Sequence, residues 1–140
     1  MTRKLLTEAV EKAAAKCGMR FHAGFAYRIA SEVKKFPALW LEPAEVVATD
    51  GRREGVRVYG LKMMLMAMPE GRKSAAKETA WQALEDAAQS IRLTLAEDDC
   101  VRDVAGFVCT PSETSLTAAG EVSLAVAIKV AVPFSENCWV

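Results

Sequence analysis

The sequence predicts a single α+β domain over residues 1–140: a mostly antiparallel sheet with a long helix and an N-terminal helix packed on one face. Two periodicities carry this expectation. Near the start of the chain, and again after Ser74, apolar residues recur at three- and four-residue steps, as on a helix that buries one face. Between Val122 and Phe134 they recur at every second position, the period of a half-buried strand. A chain of 140 residues also has room for one core, and no linker, repeat or low-complexity tract divides it.

The elements follow in order. Thr2 to Cys17 reads as a helix with Leu6, Val10, Ala13, Ala14 and Cys17 on its apolar stripe, and Glu8 and Lys12 pair on another face. Thr2 is placed to cap its start and Gly18 to end it. Phe21, Phe25, Ile29, Val33 and Phe36 keep helical spacing, but Gly24 weakens a helix there. An extended piece is therefore expected at Arg20–Ala23, then a helix from about Ala26 to Lys35, stopped where Pro37 restricts Phe36. Ala38–Glu42 reads as a short strand halted by Pro43.

Glu45–Thr49 and Val56–Met68 bracket the segment Asp50–Gly55, whose two glycines suit a hairpin loop. Arg52, Arg53 and Glu54 between them are expected to form an exposed tip. Ser74 is a natural N-cap for a helix ending near Asp98, with Ala80, Leu84, Ala87, Ile91 and Leu95 as its stripe and Trp81 and Ala88 widening it. Val101–Thr110, broken by Gly106, reads as a weak strand and Val122–Phe134 as a strong one. Pro111–Gly120 between them is a Ser/Thr-rich loop. Helices laid on one face of the sheet would satisfy this order.

Composition excludes several function classes. Eighteen Lys and Arg balance eighteen Asp and Glu, so the cationic excess of a phosphate-binding domain is absent and nucleic acid is a poor partner. The N-terminal residues reach Glu8 before any long apolar stretch, unlike a secretory signal, and Leu61–Met68 is too short to span a bilayer. Cys17, Cys100, Cys109 and Cys138 form no C-x-x-C pair, and His22 is the one histidine. Those spacings do not suggest a metal site, and they fit reduced thiols.

Motifs with chemistry are scarce. Gly71-Arg72-Lys73-Ser74 looks like the end of a phosphate-binding loop, but Met66 stands where its first glycine belongs and Arg72 where its lysine belongs. It reads as a helix-entry turn. A nucleophile–base pair would have to use His22, which sits beside Phe21 and near Phe25 and reads as a packed or surface histidine. Glu97-Asp98-Asp99 and Glu85-Asp86 read as solvated carboxylates. No catalytic, cofactor-binding or metal residue emerges.

One segment stands out. Met63-Met-Leu-Met-Ala-Met68 is apolar on both faces of one strand. One face can meet the helices. The other, with Met64, Met66 and Met68, must be covered within the chain or by another subunit, and methionine suits a surface that adapts to a partner. The small face of Ala125, Ala127 and Ala131 raises the same question.

The segment Phe36-Pro-Ala-Leu-Trp-Leu-Glu-Pro43, the Gly-Arg hairpin and long strand after it, the long helix and the closing Gly120-Glu-Val…Val132-Pro-Phe134 strand form a familiar order. In that order the chain resembles tail terminator and minor tail-completion proteins of long-tailed bacteriophages, a family held together by topology rather than by motif. The resemblance implies a non-enzymatic domain forming rings, often hexameric, at the head-proximal end of the tail tube, with sheets joined across subunits. It implies manufacture in the bacterial cytoplasm and assembly into the virion tail. The implied partners are further copies of the chain and tail-tube or head–tail connector proteins. The residues alone leave two other classes open: a small dimeric scaffolding or regulatory module associating through its sheet, and a ligand-binding or enzymatic domain with a pocket built from scattered residues.

Overall fold

The computed structural model describes residues 3–135. Thr2, the expected cap of the first helix, and Cys138 lie outside the described residues. Helix α1 spans Arg3–Lys16, strand β1 Arg20–Ala23, and a 3-10 turn at Ala26–Arg28 leads into the short helix α2, Ile29–Glu32. Strands β2 (Ala38–Leu41), β3 (Glu45–Gly51) and β4 (Glu54–Ala67) follow, then helix α3 (Ser74–Ala96) and strands β5 (Asp103–Ser112) and β6 (Val122–Ser135). The fold is α+β, as the periodicities predicted.

The six strands form one sheet in the order β1-β2-β4-β6-β5, with β3 also paired to β4. All pairings are antiparallel except β1 with β2. Strand β4 is the spine. Over its whole length it pairs with β6, from Glu54 opposite Ser135 to Ala67 opposite Val122. Its other edge is shared: β3 takes the first half and β2 the second, with Leu39 opposite Leu65 and Val46 opposite Tyr59. Pro43, lacking an N–H, falls in the gap between those two partners, where no ladder bond is lost.

Helices α1 and α3 cover one face. Leu6, Val10, Ala13 and Ala14 from α1 and Leu84, Ala88, Ile91 and Leu95 from α3 are buried there. They meet Tyr59, Leu61, Met63 and Leu65 of β4 and Leu124, Val126, Ile128, Val130 and Val132 of β6. The alternation of β6 thus delivers a continuous apolar row to the helices. Trp81 joins the layers by donating its Nε1–H to the Ser123 carbonyl at 3.1 Å.

The long and N-terminal helices share one face as expected, while the short helix lies on the opposite one. Strand β2 is buried at all four positions, so it needs cover on both sides. Leu39 and Leu41 enter the main core, while Ala38 and Trp40 pack with Ile29, Val33 and Met66 in a second cluster. Helix α2 is also shorter than its spacing predicted, with Val33 already extended at ψ 113. The chain must return from this face to begin β2 at Ala38. Extended backbone covers about 3.3 Å per residue where a helix covers about 1.5 Å, so the helix stops before Pro37 can act.

The hairpin of β3 and β4 uses its two glycines for different reasons. Gly51 holds φ +100, a conformation that side chains rarely adopt, whereas a Cβ on Gly55 would run into the Asp50 carbonyl oxygen. On β5 the register shifts between Ala105 and Val108, around Gly106, which accounts for the break the sequence showed there. Ser74 is the first residue of α3 rather than its cap; that place belongs to Lys73, whose side chain makes no capping bond.

Candidate functional site

The Met-rich strand sends its rows to the two faces. Met63 and Leu65 enter the main core, while Met66 is 0% exposed beneath Ile29, Val33 and Trp40. Met64 is half-buried in the same cluster, and Met68, just past the end of β4, is 46% exposed. Helix α2 therefore covers the second row at Met66 from within the chain. Of the three methionines named from sequence as a contact with a neighbour, Met68 offers the most surface, Met64 a partial one and Met66 none.

Beyond this cluster the face opposite α1 and α3 is open among the described residues. Val56, Val58, Ala125 and Ala131 are half-buried, while Ala127 and Val108 are exposed. Val108 reaches 57% exposure. Lys62 and Lys129 are the exposed cations on this face. The two sides of the sheet also end differently. On one side the described sheet ends at β5; on the other it ends at β1 along one half of β4 and at β3 along the other, with all seven residues of β3 exposed.

The hairpin projects from this frame. Between Glu45 and Val58 no residue is buried, and Arg52, Arg53 and Glu54 are exposed at its tip. Val46 and Val47 are 49% and 47% exposed, so the arm carries apolar surface as well as charge. Strand β6 backs it as far as Ser135, and the Arg57 guanidinium lies 5.4 Å from the centre of the Phe134 ring.

The motifs weighed for chemistry make the following local contacts. His22 stacks on Trp40, ring centroids 5.8 Å apart, and Trp40 donates its Nε1–H to the Gly24 carbonyl at 2.8 Å. Gly71–Lys73 makes the turn into α3, with the Lys73 carbonyl accepting from the Ala76 and Lys77 N–H groups. Asp98 accepts from the Cys100 N–H at 2.8 Å and so shapes the turn after α3. Cys17, Cys100 and Cys109 are free thiols. Burial, with help from the nearby Glu85 carboxylate, pushes the Cys109 thiol above its ordinary value. No helix among the described residues is long and apolar enough to cross a membrane.

Sequence reasoning missed Glu121. It is 0% exposed at the foot of β6, and the Ser/Thr-rich loop closes around its carboxylate. Oε1 accepts from Ser115 Oγ at 2.7 Å, from the Thr117 N–H at 3.1 Å and from the Thr117 hydroxyl. Oε2 accepts from the Leu116 N–H at 2.9 Å and from Ser115 Oγ at 3.1 Å. Burial pushes the carboxyl upward, but the hydrogen bonds from Thr117, Ser115 and Leu116 outweigh it and hold the group below its ordinary value. Leu116, fixed in this way, packs on the second cluster with Met64. The available signal was a glutamate flanked by Gly120 and the first valine of a strand, six residues after Ser115.

Two clefts adjoin Met68. One, of about 600 Å³, lies between the ends of α1 and β4, the segment 34–37 and α3. The other, of about 470 Å³, runs along the first turns of α3 from Pro69 to Thr79 and Ala80. Met68, Ala67 and Ala83 line both.

No protein-family profile matches the sequence, and no curated protein matches it. Among solved structures, a chain from the virion of a native gene transfer agent particle has the same fold, with a TM-score of 0.55 at 15% identity. The match covers 92% of this chain and 95% of that one. Spread over nearly the whole of both chains at that identity, the likeness is one of fold.

Proposed function

We propose that the chain is a structural component of a phage-type particle, a ring-forming tail-completion or connector protein rather than an enzyme. The observation that carries this reading is the surplus of association surface on an otherwise well-packed sheet. The β5 edge, the exposed β3 edge, the open apolar face and the projecting hairpin are all surfaces that the described chain leaves uncovered. An uncovered strand edge invites pairing with another chain. Because β3 and β5 lie on opposite sides of β4, a contact between β3 of one copy and β5 of the next is head-to-tail, and head-to-tail contacts close into rings when the rotation permits.

Two further observations support the same reading. A fold likeness extending over nearly the full length of a chain from a virion particle is what a shared structural role would leave behind. The balanced charge gives little repulsion between copies. The partners are further copies of the chain and neighbouring tail-tube or connector proteins, and assembly follows synthesis in the host cytoplasm.

Electron microscopy of the purified chain tests this. The expected result is closed rings with one rotational order. Particles that are all single chains or pairs, at every concentration imaged, overturn the ring.

A further inference from the structure

The cleft beside Met68 has the makings of a socket. Its lining includes the half-buried Phe36 and Ala87 and the exposed Met68. Its rim carries Arg20, Lys34 and Lys35, and no acidic residue lines it. All three cations are exposed, and the Lys34 ammonium donates to the Ala30 carbonyl at 3.5 Å. An apolar floor with a cationic rim selects a short segment that pairs apolar side chains with a negative charge.

The chain itself contains such a segment outside the described residues: Glu136-Asn137-Cys138-Trp139-Val140. Its one charged side chain is acidic, and its last two are apolar. It cannot reach the cleft of its own chain. Strand β6 ends at Ser135, opposite Glu54, whereas the cleft lies beside Ala67 at the other end of β4. Thirteen residues of strand separate the two, roughly 43 Å. Five residues reach at most about 18 Å.

We infer that this cleft receives residues 136–140 of a neighbouring copy, with Trp139 and Val140 on the apolar floor and Glu136 toward the lysines. The inference rests on the self-association proposed above and gives it a specific contact. Tail and cleft lie at opposite ends of the sheet, so the contact is head-to-tail and each copy both gives and receives. Tryptophan is a frequent anchor of such contacts, and burial against the cleft's Phe36, Met68 and Ala87 would remove it from water.

A labelled peptide of residues 134–140, titrated under reducing conditions against the full chain carrying Trp139→Ala, tests the socket directly by fluorescence anisotropy. Saturable binding is expected, and Trp139→Ala in the peptide should weaken it roughly tenfold or more. Lys34→Glu with Lys35→Glu on the receiving chain should weaken it too. A Glu136→Lys peptide should then bind that reversed cleft better than the native peptide does. Circular dichroism checks that the receiving variants remain folded. Absence of saturable binding overturns the inference, as does a reversed peptide that gains nothing on the reversed cleft. The two readings fail separately. Closed rings without peptide binding overturn the socket and leave the ring. Peptide binding to a chain that stays monomeric supports the socket and overturns the ring.

Discussion

Replacing Glu121 by glutamine takes one acceptor from a loop that aims four donors at a single carboxylate. The amide oxygen can take the place of Oε1 and keep Thr117 and Ser115. The amide NH₂ then faces the Leu116 N–H, now 2.9 Å from Oε2, donor against donor. A buried N–H without a partner costs about 1–3 kcal/mol. The remaining bonds also lose their charge assistance, which acts in the same direction. Urea unfolding followed by tryptophan fluorescence should therefore show Glu121→Gln less stable by at least about 1 kcal/mol at pH 7.

The difference should depend on pH with a definite sign. Glu121 ionises below its ordinary value of 4.5 in the folded chain. As pH falls the unfolded chain takes up the proton first, so the stabilisation is present above about pH 4.5 and fades as pH drops through the folded value. Glutamine mimics the protonated group, so the gap between the two proteins should narrow in acid. Equal urea midpoints at pH 7, or a gap of the same size at pH 7 and pH 3, would refute the reasoning.

Three other perturbations separate core from surface. Leu84→Ala and Leu95→Ala, at 2% and 0% exposure under the sheet, should each cost about 2–5 kcal/mol by urea titration; an unchanged midpoint would contradict their place in the core. Arg52→Ala with Arg53→Ala should leave the melting temperature nearly unchanged, since exposed substitutions cost under about 0.5 kcal/mol. Met66→Lys should unfold the chain or destabilise it by several kcal/mol, because the new charge is buried under α2, while Met68→Lys should keep native circular dichroism. Equal behaviour of the two lysine variants would mean that the second cluster does not enclose Met66.

Much of the fold was legible because single periods persisted over long runs. Strand β6 shows its alternation from Val122 to Val132, and α3 its stripe from Ala80 to Leu95. Pro43 and the Gly51–Gly55 pair marked boundaries for local steric reasons. What escaped depended on long-range packing. Val33 and Phe36 keep helical spacing, yet the need to return to the sheet at Ala38 ends α2 at Glu32. The placement of α2 on the second face follows from burial of β2 on both sides, and four residues show no period long enough to reveal that. The Met-rich strand announced two apolar faces without saying which would be covered by the chain, and Ile29 and Val33 cover it at Met66. Glu121 was hidden for another reason. A glutamate at a strand's foot normally faces water, and only the closed loop brings Ser115, Leu116 and Thr117 onto it.

Native mass measurement of the wild-type chain over a wide concentration range tests most directly whether the uncovered edges and face join copies into a ring. A single dominant species of one fixed multiple greater than two, unchanged on dilution until it dissociates, is the predicted result. A mass of one chain at every concentration would contradict it.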